Sequence, residues 1–116
     1  MIRRLLAVAL LGLTTSPVIA GGSSAPFDYQ PDPALKTASR GELEARIRRT
    51  CAATQAKLQN ASATALERPC ACYASRTLRA LDRNEVQAFR DTGYFNDSAR
   101  AKALAALDAC RLPRPV

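Results

Sequence analysis

The sequence predicts an all-α fold: a small disulfide-stapled bundle of about four short helices that follows a cleaved signal peptide. Three observations lead there. Apolar residues recur at spacings of three and four in several segments, and no β-branched run alternates with period two. Four cysteines, an even number, stand in a chain of only 116 residues. The first 20 residues place charge before a short apolar run, the order that export machinery reads.

Residues 1–20 are the predicted signal peptide. Arg3 and Arg4 supply the positive start, and Leu5 to Leu13 (LLAVALLGL) supply the apolar core. Val18 and Ala20 occupy the small-residue positions of a cleavage site, so cleavage is expected between Ala20 and Gly21. The apolar run falls well short of the roughly 20 residues that span a bilayer, and Ser16-Pro17 interrupts it. No stable membrane anchor is expected once the signal is removed. Frequent Ala, and Arg in preference to Lys, fit a GC-rich bacterial genome, which makes the destination the periplasm or the medium.

Cys51, Cys70, Cys72 and Cys110 read as a disulfide framework in that oxidising setting. The physical need is clear, because a domain of this size rarely gains more than about 3–5 kcal/mol from its core. This core is rich in Ala and poor in aromatics. A bridge between Cys70 and Cys72 is disfavoured, since residues two apart in a helix point their Cβ atoms to different sides. Cys51 and Cys110 should therefore each take one member of Cys70-Ala71-Cys72, in either of two pairings. The alternative is a thiol-based metal-binding or redox protein that uses the Cys-x-Cys pair as thiolates. Against it, the chain has no His, its one Met is Met1, and no Cys-x-x-Cys is present. No cofactor or metal is expected.

Residues 21–38 carry Gly, Ser and three prolines without sustained periodicity, and read as a flexible N-terminal leader in which Phe27 and Tyr29 could tuck onto the domain. The helical disulfide domain spans 39–112. Its first helix starts at the capping box Ser39-x-x-Glu42 and runs to about Gln59, with Leu43, Ile47, Cys51, Thr54 and Leu58 along one face. An Ala-rich connection over Asn60 to Arg68 follows, with room for a turn of helix. The second helix starts near Pro69 and buries Cys70, Ala74, Leu78 and Leu81. Asp82-x-x-Glu85 opens a short third helix with Val86 and Phe89 inward, and Gly93 stops it before Tyr94-Phe95. Asn96 caps a fourth helix whose inner face is Ala103, Leu104, Leu107 and Cys110. Pro113 and Pro115 mark the tail at 113–116. The cysteines at the start of the second helix and the end of the fourth require those two helices to run antiparallel, with the third crossing between them. Bridging through Cys51 sets the first helix antiparallel to the second.

The formal charge is +7, falling to +5 without Arg3 and Arg4. The positives are scattered among acids, and the one cluster, Arg46, Arg48 and Arg49, is faced by Glu42 and Glu44, as on a solvated helix face. Nucleic-acid binding is not expected without a basic stripe and stacking aromatics. Without His, no Ser, Cys or Asp has its usual base, and the paired acids sit at helix starts where they oppose the dipole. The chain is thus expected not to be an enzyme. Asn60-Ala61-Ser62 and Asn96-Asp97-Ser98 have the form of glycosylation sites, though turn chemistry explains Asn96 better.

The Cys…Cys-x-Cys…Cys spacing on short helices, with Leu81 to Phe89 (LDRNEVQAF), resembles small exported proteins of proteobacteria over residues 50 to 110. That resemblance implies no activity. The expected function is a non-enzymatic accessory component of the cell envelope that binds an unknown protein partner. Tyr94 and Phe95 are the candidate partner contact, if their rings are exposed.

Overall fold

The structure, a computed structural model, describes residues 31–115. The predicted signal peptide, its cleavage site and most of the leader lie outside the described residues. Within them are α1 (Pro33–Lys36), α2 (Arg40–Gln59), a 3₁₀ turn (Thr64–Leu66), α3 (Glu67–Ala80), α4 (Arg83–Thr92) and α5 (Asp97–Ala109). No strand occurs among these residues. The chain is a small all-α bundle held by two disulfides.

Local chemistry sets the helix ends. Ser39 caps α2, and its hydroxyl accepts from the Glu42 N–H while Glu42 accepts from the Ser39 N–H. Asp82 and Glu85 repeat this reciprocal pair at α4. Asn96 caps α5. Asn60 ends α2 in the left-handed conformation at φ 50°, which Asn tolerates better than most residues. Gly93, at φ 77°, ends α4. Both Asn-x-Ser sequences are therefore occupied with helix ends.

The structure adds one element and corrects one face. Residues 33–36, within the stretch read as leader, form α1 because the Asp32 side chain caps it and Leu35 has a core to enter. Ala38 is buried as well. Half-buried Arg90 of α4 ties this segment down by donating to the carbonyls of Leu35 and Ala38. On α2 the buried stripe is Leu43, Ile47, Cys51 and Gln55, a strict four-residue step. The expected Thr54 and Leu58 lie outside it, and Leu58 is 41% exposed. A spacing of four drifts steadily around a 3.6-residue helix, so the stripe follows α3 and passes to Gln55.

The pairing left open in sequence is Cys51–Cys70 and Cys72–Cys110, with Cα separations of 5.6 and 5.9 Å. Cys51–Cys70 joins the middle of α2 to the start of α3, while Arg40 at the start of α2 donates to the Leu78 carbonyl near the end of α3 (3.2 Å). These two links fix α2 and α3 antiparallel. Cys72–Cys110 does the same for the start of α3 and the end of α5. The core forms two clusters. One gathers Leu35, Leu43, Ile47, Leu78, Leu81 and Phe89. The other gathers both bridges with Leu66, Leu107 and Leu112. Tyr73 packs against both.

After α5 the chain makes a Schellman turn. The Leu112 N–H donates to the Leu107 carbonyl and the Arg111 N–H to that of Asp108. Arg111 takes the left-handed position at φ 58°. Leu112 is thereby buried beside Leu107. Buried Gln55 then donates to the Pro113 carbonyl (2.8 Å), which lays the tail against α2.

Candidate functional site

Helices α2 and α5 both pack on α3. Between them runs a groove of about 370 Å³. Helix α2 supplies Arg46, Ile47, Thr50, Cys51, Thr54 and Gln55, and α3 supplies Tyr73. The end of α4 and its turn supply Phe89, Gly93, Tyr94 and Phe95. Leu107 of α5 and Pro115 of the tail complete the lining. A shallower depression of Ala53, Thr54, Lys57, Leu58 and Pro115 shares Thr54 and Pro115 with it, so the concavity continues along α2.

The aromatic end has a definite construction. Phe89 and Phe95 stack with ring centroids 5.1 Å apart. Gly93 allows the reversal that places them together. The Thr92 hydroxyl donates to the Ala88 carbonyl and accepts from the Tyr94 N–H (3.0 Å), which fixes the backbone at Tyr94. The structure thus separates the two residues proposed from sequence. Phe95 is half-buried and belongs to the wall, whereas Tyr94 is 63% exposed at the rim. Both line the groove.

The one charged residue of its described lining is already paired. Among the described residues, the linings of the groove and the adjoining depression include Arg46 and Lys57 and no carboxylate. Arg46 pairs with Asp32 at 2.9 Å, just before α1. The Asp32 carboxyl is held below its usual range by that hydrogen bond and by the Ala34 N–H. The pair is more than a third exposed, so it positions the chain more than it stabilises it. Burial pushes the Tyr73 hydroxyl pKa up, which keeps it protonated and uncharged.

Chemically, the groove offers apolar wall, the hydroxyls of Thr50, Thr54, Tyr73 and Tyr94, and one guanidinium. Among the described residues that line it, no carboxylate or imidazole stands to serve those hydroxyls as a base. Such a surface suits an apolar side chain flanked by hydrogen-bonding backbone. The four cysteines that sequence singled out are all bridged, so Cys70 and Cys72 present no thiolate. Among the described residues, no group of three His, Cys, Asp or Glu is placed to hold a metal ion.

Sequence reasoning missed most of the groove. The sequence pattern assigns Thr54 to the helix stripe and Arg46 to a solvated face, and both line the groove. Gaps between helices leave no periodic signal, since they depend on how α2 and α5 sit on α3. The available clue was the cluster of rings after Gly93.

No protein family, curated protein or solved structure matches this chain. Fold and groove together define its class: a small, all-α, disulfide-stapled bundle that carries an apolar groove beside one of its bridges.

Proposed function

We propose that the protein is an exported, non-enzymatic binding module of the cell envelope, and that its groove holds a short apolar or aromatic segment of a protein partner. The groove carries this reading. It is bounded by rings, flanked by cations, and opens at an exposed tyrosine. The two bridges support an exported location, because disulfides persist outside the reducing cytoplasm. Among the described residues no helix is long and apolar enough to cross a membrane. In this reading the signal is cleaved after Ala20, and the product resides in the periplasm or the medium. The rigid bundle supplies a pre-organised surface, which lowers the entropy lost on binding.

The test is site-specific photocrosslinking in an exporting bacterial host. A photoreactive residue is placed at Tyr94 or Thr54, with Arg83 at the start of α4 as control. The reading expects the same adduct from both groove positions and none from the control. It also expects Leu107→Arg, which projects a charge into the groove, to abolish the adduct in protein that retains both bridges. Equal adducts from all three positions, or none from any, would reject it.

A further inference from the structure

We infer that Cys72–Cys110 is a thiol-exchange site, opened by attack of an anionic thiol on Cys72, while Cys51–Cys70 stays closed. The exchange needs no partner in the groove, so it goes beyond the binding reading.

Access separates the two bridges. Exchange requires a thiolate to reach one sulfur of the bond. Cys70 is 0% exposed and Cys51 5%, so the first bridge is shut inside the bundle even though Cys51 forms part of the groove lining. Cys110 is buried too, but Cys72 is only half-buried. The second bridge therefore has one partly open end.

Charge separates them again. Residues four apart on a helix are neighbours, with Cβ atoms about 5–6 Å apart. For Cys72 in α3 these neighbours are Arg68 and Arg76, both exposed. Arg111, also exposed, follows Cys110. Of the acids close by in the chain, Asp108 is held by Arg114 at 2.6 Å, and Glu67 stands at the first residue of α3. Guanidinium groups draw in an anionic thiol and stabilise the thiolate that departs. The first bridge has the opposite surroundings. The four-apart neighbours of Cys51 are Ile47 and Gln55, and those of Cys70 are Leu66 and Ala74, all buried. A thiolate formed there is held away from water, which disfavours its charge.

In the first step an external thiolate bonds to the Cys72 sulfur. The Cys72–Cys110 bond breaks, and Cys110 leaves with its electron pair and takes up a proton. A second external thiolate then bonds to the added sulfur and releases Cys72, which is protonated in turn. Two external thiols are oxidised to one disulfide, and Cys72 and Cys110 are reduced to two thiols.

The opened bond frees one end of α5. Glu85 holds the first turns of α5 through Ser98 and Lys102, and Cys72–Cys110 holds its end. Leu107 and Pro115, which line the groove on that side, then depend on the packing of Leu112 and the Gln55–Pro113 hydrogen bond. Exchange thus loosens one wall of the groove and leaves the cluster around Leu43, Ile47 and Leu78 in place.

The experiment treats the full exported chain with glutathione at stepped ratios of reduced to oxidised form, followed by acid quench, alkylation and peptide mass spectrometry. The expected result is a range of ratios in which Cys72 and Cys110 are alkylated, or Cys72 carries glutathione, while Cys51 and Cys70 remain joined. In that range amide exchange should quicken from Leu107 to Leu112 and stay slow at Leu43, Ile47 and Leu78. Arg68→Gln combined with Arg76→Gln, both surface changes, should slow opening roughly three- to tenfold with unchanged helical circular dichroism. Joint opening of both bridges, prior opening of Cys51–Cys70, a glutathione adduct on Cys110 in place of Cys72, or an equal rate in the Arg variant would each overturn the assignment. Exchange that stays slow from Leu107 to Leu112 would overturn the loosening of the wall. Failure of the crosslinking test leaves all of these results readable on their own.

Discussion

Glu85 of α4, almost wholly buried, accepts a hydrogen bond from the Ser98 hydroxyl of α5 at 2.7 Å. It also accepts from the Lys102 ammonium and closes the capping box at Asp82. One carboxylate therefore joins the start of α4 to the first two turns of α5. Its pKa is lowered to about 2, first by the Asp82 N–H, then by Lys102 and Ser98.

The sign of the pH dependence follows. A depressed carboxylate pKa adds stability that is complete above its ordinary value of 4.5 and disappears as pH falls through about 2. Acidification between those values should lower the urea midpoint. Glu85→Gln should flatten most of that slope, because the amide does not titrate. Asp32 and Asp108 are also lowered, but each pairs with an Arg at the surface and leaves only a small residual. Equal slopes in wild type and variant would remove Glu85 from this role.

Arg111 holds a left-handed conformation that a side chain disfavours by about 1–2 kcal/mol. Arg111→Gly relieves this, while the freer unfolded chain takes back about 0.4–1 kcal/mol. A net gain of about 0–1.6 kcal/mol is expected, read as a higher thermal midpoint. A lower midpoint would mean that the Arg111 side chain contributes contacts of its own.

Gln55 lies inside the bundle and serves both the tail and its own helix, donating to Pro113 and accepting from Gln59 at 2.6 Å. Gln55→Ala should cost about 1–2 kcal/mol, the scale of a buried hydrogen bond and its stranded partner. It should also release residues 113–115, seen as faster amide exchange at Leu112 and Arg114. Unchanged exchange there would show that the Schellman turn alone holds the tail.

Much of this fold was legible because its signals are local. Ser39–Glu42, Asp82–Glu85, Gly93 and Asn96 each act within a turn of chain, and each marks an observed helix end. The cysteine count and helix geometry excluded a Cys70–Cys72 bridge, and the antiparallel arrangement followed. Illegible were links between residues distant in sequence that share no pattern. Glu85 reaches Ser98 and Lys102, Arg90 reaches Leu35 and Ala38, and Gln55 reaches Pro113. Helix α1 was missed because a four-residue turn shows no period, and its stability comes from Arg90 and the core beneath Leu35. The groove was missed for a related reason: polar Thr54 reads as a stripe position until α5 is placed opposite.

Sulfur bridges hold this bundle together. Cys51–Cys70 closes 19 residues and Cys72–Cys110 closes 38. Chain entropy assigns them about 3 and about 4 kcal/mol. That matches or exceeds the roughly 3–5 kcal/mol available from a core of this size. The direct measurement is thermal unfolding followed by helical circular dichroism, with and without strong reductant. The oxidised protein should melt in a cooperative transition, and folded helix should be lost at room temperature once both bridges are reduced. An unchanged melting temperature in verified tetrathiol protein would contradict it.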